Sequence, residues 1–463
     1  EKMDNIWILT EEKPKTSVIL QIMEVYCADF QDKIVQNRDI KIKPLINNGK
    51  FAFKYEVEGL KVGKAENIYI KVVSGSSSFL DFLVFKQNCE PTEGQNNNLL
   101  MAVEETKTSD DESRNTGVYQ RGSKFAYIAG FNSGAKLYML YNEELEAREK
   151  KPSDTSIFGT NLLLTIGVKI LGKSLGIWFN AFNSLRDLIS FKGAMRKPPE
   201  GNVPIDITEH PDRIEISGRL AKPADAGNIG HDPNIGALSM IAKGIRKLGC
   251  NKPIVITKHG VTQQYINKTQ GKNKFLYICN LLNMTLENIR MPSNITLPDS
   301  YWHYEVTSEK IATILMHVTC EYSGMKEVYH NHAGCERGYF KTLDGKLIAL
   351  PKKDRNGVNL YLPDLVLQDQ ATKTLLVIEG KQLQTLNAGL AEIDNYDSIE
   401  NDYIKPHYRG YNILRGLSIF GGKQAVMPHT RVIIYVKDNG EIILNANAPD
   451  CVKRSFQRVG IKV

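Results

Sequence analysis

The sequence predicts a mixed α/β protein of the α+β kind, and three observations carry that prediction. Segments with apolar residues at helical spacing alternate with short runs rich in β-branched and aromatic residues. Asn-Gly and Gly-rich turns punctuate those runs. One order of elements (helix, strands, an acid, a Glu-x-Lys tripeptide, helix, strand) occurs near both ends of the chain. At 463 residues the chain has length for two or three domains with separate cores.

Taken in order, residues 15–31 place Val18, Ile19, Ile22, Val25 and Tyr26 at helical spacing and predict a helix. Strands are predicted near 40–46, 50–59 and 67–73. The run SFLDFLVF sets Asp81 inside an apolar strand, and Leu99 to Val103 then delivers Glu104, Glu105 and Lys107. A helical segment and the strand 136–142 close this first series. The apolar stretch 157–182 is broken by Asn161, Lys169, Lys173 and glycines, so it predicts a buried helix and not a membrane span. Residues 198–236 hold eleven Pro or Gly, which predicts an irregular connection with short strands such as RIEISGRL. Asp232-Pro233 has the form of a helix start, and Leu238, Ile241, Ile245 and Leu248 follow at helical spacing. KPIVITK predicts a strand and residues 274–289 a helix. In the last third, 307–324 predicts a helix and 338–351 a hairpin. Two strands carrying Asp364 and Glu379, a helix-rich segment to about 420 and a strand at 431–437 complete the second series.

Charge singles out the middle of the chain. Net charge is only +7, yet Pro233 to Leu286 contains no Asp or Glu and eight Lys or Arg. Lys243, Arg246, Lys247, Lys252 and Lys258 lead that set as candidate phosphate contacts, since a carboxylate nearby would repel a nucleic-acid backbone. Residues 157–199 add six basic residues, Arg196 and Lys197 among them, against Asp187 alone. The bland alternative is a solvated basic face.

The chemistry concentrates in YLPDLVLQDQATKTLLVIEGKQ, residues 361–382. Fourteen residues separate Asp364 from Glu379, and Lys381 follows two positions on, on the same side of a strand as Glu379. Paired carboxylates beside an ammonium suit metal-assisted phosphodiester hydrolysis. An ordinary hairpin with exposed terminal charges is the competing reading. Pro363-Asp364 followed by Glu379-Gly380-Lys381 resembles the PD-(D/E)xK nucleases, in particular type II restriction endonucleases. The resemblance covers about 15–142 and 305–440 and implies two αβββαβ cores flanking a basic α/β middle region. It implies a Mg²⁺-dependent endonuclease acting at a specific sequence in double-stranded DNA, with Mn²⁺ able to substitute. Asp364 and Glu379 would hold metal and Lys381 would assist the attacking water. In the first core, Asp81 and Glu105-Thr106-Lys107 would be the matching set, with Asp81 and Glu105 as metal ligands. That core departs from the family: Asp81 lacks a preceding Pro, Glu104 competes with Glu105, and the acid-to-Glu spacing is longer. The corresponding division is 1–150 nuclease-like core, 151–300 basic DNA-binding region, and 301–463 catalytic core. Alternatives are a structure-selective or repair nuclease, and a non-catalytic DNA-binding protein with relic cores.

Other signals narrow the field. Seven widely spaced cysteines with no C-x-x-C argue against a disulfide scaffold and fit a reducing cytosol, and the resemblance to restriction endonucleases implies a prokaryotic cytoplasm. No apolar leader is visible near the N-terminus, so no signal peptide is expected. No phosphate-binding G-x-x-x-x-G-K-[ST] is present. His330, His332 and Cys335 lack a convincing fourth zinc ligand. His259 fits a structural histidine better than a DNA contact, and Glu336 is a further acid upstream of the second core. For double-strand cleavage the resemblance implies either a monomer with two sites or, if only the second core is active, a homodimer.

Overall fold

The computed structural model describes residues 3–75, 78–106, 117–132, 134–142, 152–195, 205–220, 233–296, 300–331 and 339–463. Lys107, Arg196, Lys197, Asp232, His332, Cys335 and Glu336 lie outside the described residues. The fold is mixed α/β, with parallel and antiparallel strand pairs in several sheets. Its contacts gather into two compact units, each drawn from separate stretches of chain. The first holds Glu1–Ser74, Lys86–Glu90 and Tyr304–Val463, and the second Gly75–Phe85 and Pro91–His303. Part of segment 1–150 thus belongs with nearly all of segment 301–463.

The first unit is built on a six-stranded sheet. Its order is Lys326–His330, Leu365–Asp369, Thr374–Gln382, Asn412–Phe420, Val432–Val436 and Ile442–Leu444. The first three strands are antiparallel neighbours, and Asn412–Phe420 runs parallel to Thr374–Gln382. Leu365 to Leu367 and Leu375 to Ile378 are unbroken apolar runs because both faces of this sheet are covered. One face packs Val366, Leu375, Val377, Leu417 and Ile419 against Ile393, Tyr396 and Ile399. Each such aliphatic burial is worth about 1.5–3 kcal/mol. The helix Lys310–Tyr322 covers the other face, and every residue from Ile311 to Cys320 is buried.

Residues 386–420 depart from the helix-rich expectation. The helix Leu386–Asp394 gives way through short helical turns to the strand Asn412–Phe420. That strand lies inside the sheet, and its second half, Gly416 to Phe420, is fully buried. The strand at Val432–Val436 is therefore the next one out.

N-terminal elements complete the same unit. The helix Thr16–Phe30 buries Val18, Ile19, Ile22, Met23, Tyr26 and Cys27. Ile34–Asn47 and Lys50–Val62 form a hairpin whose tip, Asn48-Gly49, has positive φ at both residues, as a type I′ turn requires. Beyond the tip, the Phe51 amide donates to the Gly440 carbonyl at 2.8 Å and Phe53 meets Phe420 edge-on. The strand Asn5–Thr10, parallel to Ile68–Gly75, has no counterpart in the sequence reading. All six of its residues are buried, so it shows no alternation.

In the second unit, residues 82–85 of the strand Phe82–Gln87 are antiparallel to Leu99–Thr106, which runs parallel to Lys136–Tyr141, itself parallel to Lys169–Leu171. The helix Gly117–Ile128 links the second and third of these strands. A separate sheet holds Met284–Leu286, Ile254–Thr257, Ile214–Ser217 and Asp206–Glu209. Two expected helices are shorter than predicted. The one at 157–182 is Asp154–Thr165, ended by Gly167 at φ 91°. The one at 274–289 is Lys274–Leu281, followed by Asn283 at φ 52° and a strand. Among the described residues no helix is long and apolar enough to cross a membrane.

Among the described glycines of the first unit, Gly380 has the least room for a side chain. A Cβ placed there would lie 2.0 Å from Thr313 Oγ1 on the covering helix, and Thr313 is itself hydrogen-bonded to Ser418 at 2.7 Å. Gly380→Ala should therefore cost about 1–3 kcal/mol in urea unfolding. The Gly380→Ala/Thr313→Ala double variant should recover part of that loss, which a cycle of the four proteins measures.

Candidate active site

Antiparallel pairing brings Asp364 and Glu379 together. Leu365 pairs with Ile378, and Asp364 and Glu379 are the residues just beyond that pair on the two strands. The Asp364 amide donates to the Ile378 carbonyl at 3.1 Å. In return, Asp364 Oδ2 accepts from the Gly380 amide at 2.9 Å. Both ends of the aspartate are thus pinned to one strand.

Glu379 is buried, and its two oxygens are shared between different donors. Lys381 Nζ donates to Oε1 at 2.7 Å, and the Tyr396 hydroxyl donates to Oε2. Lys381 also pairs with Glu392 Oε2 at 3.1 Å. Glu392 and Tyr396 follow from the helix Leu386–Asp394 and the turn after it. That helix descends on the lysine through Gly389, where a Cβ would lie 2.7 Å from Lys381 Cγ. Its C-terminal continuation is tied back to the sheet by Arg415. The guanidinium grips both oxygens of buried Glu400 at 2.7 and 2.8 Å and the Ile393 carbonyl at 2.8 Å.

The electrostatics follow from that burial. Desolvation pushes Asp364 up to about 6, against the pull of the Gly380 amide and Lys381. Burial, reinforced by the Asp364 charge, pushes Glu379 up to about 8. For Lys381, burial acts downward but the carboxylates of Glu379 and Glu392 outweigh it, so the ammonium is held protonated. Burial and the Glu379 charge keep Tyr396 a neutral donor. Two neighbouring carboxylates with shifted affinities for protons form a site at which a cation can replace the protons. The donors are oxygen only, which suits a hard cation such as Mg²⁺.

The sequence reading missed three residues here. Glu392 and Tyr396 arrive from a helix, at no fixed distance from the motif. Glu309, exposed at the start of the helix Lys310–Tyr322, raises the Asp364 affinity for protons through its charge.

Asp81 is placed likewise, but with a different partner. Phe82 pairs with Val103, and the residues just beyond that pair are Asp81 and Glu104, with Glu105 one position further. Asp81 Oδ2 accepts from the Glu105 amide at 2.7 Å. Adjacent strand residues point to opposite faces, so Glu105 leaves on the other side, where Asn142 donates to it at 3.3 Å. Glu104 is buried and paired with Lys124 Nζ at 2.6 Å. The expected Asp81–Glu105 pair is therefore replaced by Asp81 and Glu104.

The basic middle segment is only partly a surface. Arg246 directs its guanidinium at backbone carbonyls, reaching Leu282, Cys250 and Lys252 at 2.7–2.9 Å, and so braces the ends of two neighbouring segments. Lys252 pairs with Glu209 at 2.9 Å and also donates to the His210 carbonyl. Lys243 is half-buried, with desolvation lowering its proton affinity. Lys247 and Lys258 are exposed. His259 is buried, with Nδ1 accepting from the Val261 amide and Nε2 facing the Glu287 carbonyl at 2.8 Å. His330 bonds Glu327, whose carboxylate also faces buried His317 at 3.4 Å. Ligand atoms of His317, Glu321 and Glu327 lie within 4.8 Å of one another, with Lys13 paired to Glu321.

The raised proton affinities set a pH dependence. Asp364 and Glu379 bind more protons folded than unfolded between about pH 4 and 8, so folding stability falls as pH rises through that window. Thermal melts without metal should show Tm declining from pH 5 to 8.5, with Mg²⁺ restoring it mainly at the alkaline end. Asp364→Asn/Glu379→Gln should flatten both trends, and a Tm that rises with pH contradicts the assignment.

No family model matches the chain, and comparison with curated proteins and with solved structures gives no match.

Proposed function

We propose that the chain is a Mg²⁺-dependent endonuclease hydrolysing phosphodiester bonds in double-stranded DNA, of the type II restriction kind. Its active centre is Asp364, Glu379 and Lys381. One observation carries the reading: a buried and a half-buried carboxylate, Glu379 and Asp364, lie at the end of one antiparallel strand pair, with a protonated lysine 2.7 Å from the first of them. A hairpin end with solvated charges would leave these groups exposed and their proton affinities ordinary.

Asp364 and Glu379 would hold the cation through oxygen, and Lys381 would fix the orientation of Glu379 and stabilise charge on the phosphate in the transition state. Lys381 works as a cation and hydrogen-bond donor, because two carboxylates keep it protonated. When bound, Mg²⁺ supplies Lewis-acid polarisation of the phosphate and a more acidic water. Tyr396 favours the ionised form of Glu379 by donating to it, and so favours loading at neutral pH.

Incubation with supercoiled plasmid and Mg²⁺ should give discrete fragments. A smear or branched-DNA products would favour the structure-selective reading, and absence of cleavage with Mg²⁺ and Mn²⁺ on several DNAs would sink the enzyme. Asp364→Asn and Lys381→Ala should each lower the rate by about 10²-fold or more while DNA binding is retained. Tyr396→Phe should shift the pH–rate profile to higher pH with a smaller loss at its plateau.

DNA contact by the basic segment is a separate matter. Lys247→Ala and Lys258→Ala should each weaken binding to all sequences alike and reduce the salt slope by about 1. Arg246→Ala should instead lower the unfolding temperature and leave that slope unchanged, because its side chain is spent on backbone carbonyls. Titrations at several salt concentrations separate the two behaviours.

A further inference from the structure

The register around Asp81 repeats that around Asp364 position for position. Asp364 and Glu379 are the residues just beyond the pair Leu365–Ile378, and Asp81 and Glu104 are those just beyond the pair Phe82–Val103. Each aspartate accepts from the amide one residue beyond its partner glutamate: Gly380 at 2.9 Å, and Glu105 at 2.7 Å. Beyond the glutamate, each strand runs parallel to the next, with Glu379 beside Leu417 and Glu104 beside Met139. A helix links the two strands in both cases. Each glutamate is also paired with a lysine, at 2.7 Å for Lys381 and 2.6 Å for Lys124. The difference lies in the source of the cation. Lys381 comes from the strand itself, whereas the matching strand position in the second unit is Thr106, and Lys124 comes from the following helix.

We propose that Asp81, Glu104 and Lys124 form a second phosphodiester-cleaving centre, in which the helix supplies the ammonium that the strand supplies at the first. The proposal rests on the nuclease reading of the first centre. Glu104 and Asp81 are the cation ligands, and Lys124 holds Glu104 in place and offers its charge to the phosphate. In each turnover a water oxygen forms the new bond to phosphorus and the bond from phosphorus to the leaving sugar oxygen breaks. The water proton passes to solvent, and the leaving oxygen takes up a proton. Glu105 has no part in this, because its side chain leaves the opposite face of the strand. With two centres in one chain, a single protein molecule carries the means to cut both strands of a duplex.

The test uses the full chain, with Mn²⁺ as the metal probe and supercoiled plasmid as substrate. Calorimetric titration should find two Mn²⁺ per chain, one in Glu104→Gln, one in Glu379→Gln and none in the double variant. On plasmid with Mg²⁺, each single variant should accumulate nicked circles where the wild type makes linear DNA, and Glu105→Gln should behave as wild type. Lys124→Met should still bind two Mn²⁺ but make nicks only, with partial recovery in Lys124→Arg, which also guards against a variant that merely fails to fold. One Mn²⁺ per chain, lost in Glu379→Gln and unaffected by Glu104→Gln, overturns the second centre. So does linearisation by Glu104→Gln at the wild-type rate. Failure of the wild type to cleave any DNA overturns instead the nuclease reading on which both centres rest.

Discussion

Two neighbouring carboxylates, half-buried Asp364 and buried Glu379, are the constraint around which the first unit is arranged. Burying one ionised carboxylate is costly, and burying a second beside it adds repulsion. The fold offsets this with a peptide amide on Asp364, and with Lys381 and the Tyr396 hydroxyl on Glu379. The compensation is incomplete, since both acids retain an elevated affinity for protons. On the proposed reading, that residual imbalance is what draws a cation to the pair, because a fully neutralised pair would have nothing to gain from binding one.

Maintaining that imbalance requires close packing on both sides of one strand. Below it, Gly380 lets the helix Lys310–Tyr322 reach the sheet at Thr313. Above it, Gly389 lets the helix Leu386–Asp394 rest on the aliphatic stem of Lys381. The bidentate Arg415–Glu400 pair then fixes the chain that follows Tyr396. The tripeptide Glu-Gly-Lys therefore has a glycine at its centre for a steric reason. Its neighbours point to one face, toward Glu392 and Tyr396, and the glycine points to the other, into the covering helix.

Much of the fold was legible in the sequence because covered strands leave long apolar runs and helices leave a periodic stripe. Asp364, Glu379 and Lys381 were legible for a related reason: a short turn, Asp369 to Lys373, leaves little freedom in how their two strands pair. At the first core a longer and polar connection joins the strands, and two glutamates stand side by side. Choosing between Glu104 and Glu105 then depends on register, which no local pattern encodes. Lys124 was invisible because it approaches from a helix twenty residues downstream of Glu104. The fate of Arg246 was equally hidden. An acid-free sequence records where negative charge is missing, but not whether a cation faces solvent or a row of carbonyl groups.

The comparison of Lys381 with Lys124 shows what the geometry constrains. An ammonium beside a buried glutamate is fixed by distance to the carboxylate, 2.7 and 2.6 Å in the two cases, and not by its place in the chain. A strand can deliver it two residues after the glutamate, since that position returns to the same face. A helix packed on that face can deliver it equally well, provided one turn passes over the strand end. The helix route loosens the sequence pattern while leaving the charges in place, so a search for Glu-x-Lys settles on Glu105-Thr106-Lys107 and passes over Glu104, which lies with Asp81 just beyond the pair Phe82–Val103.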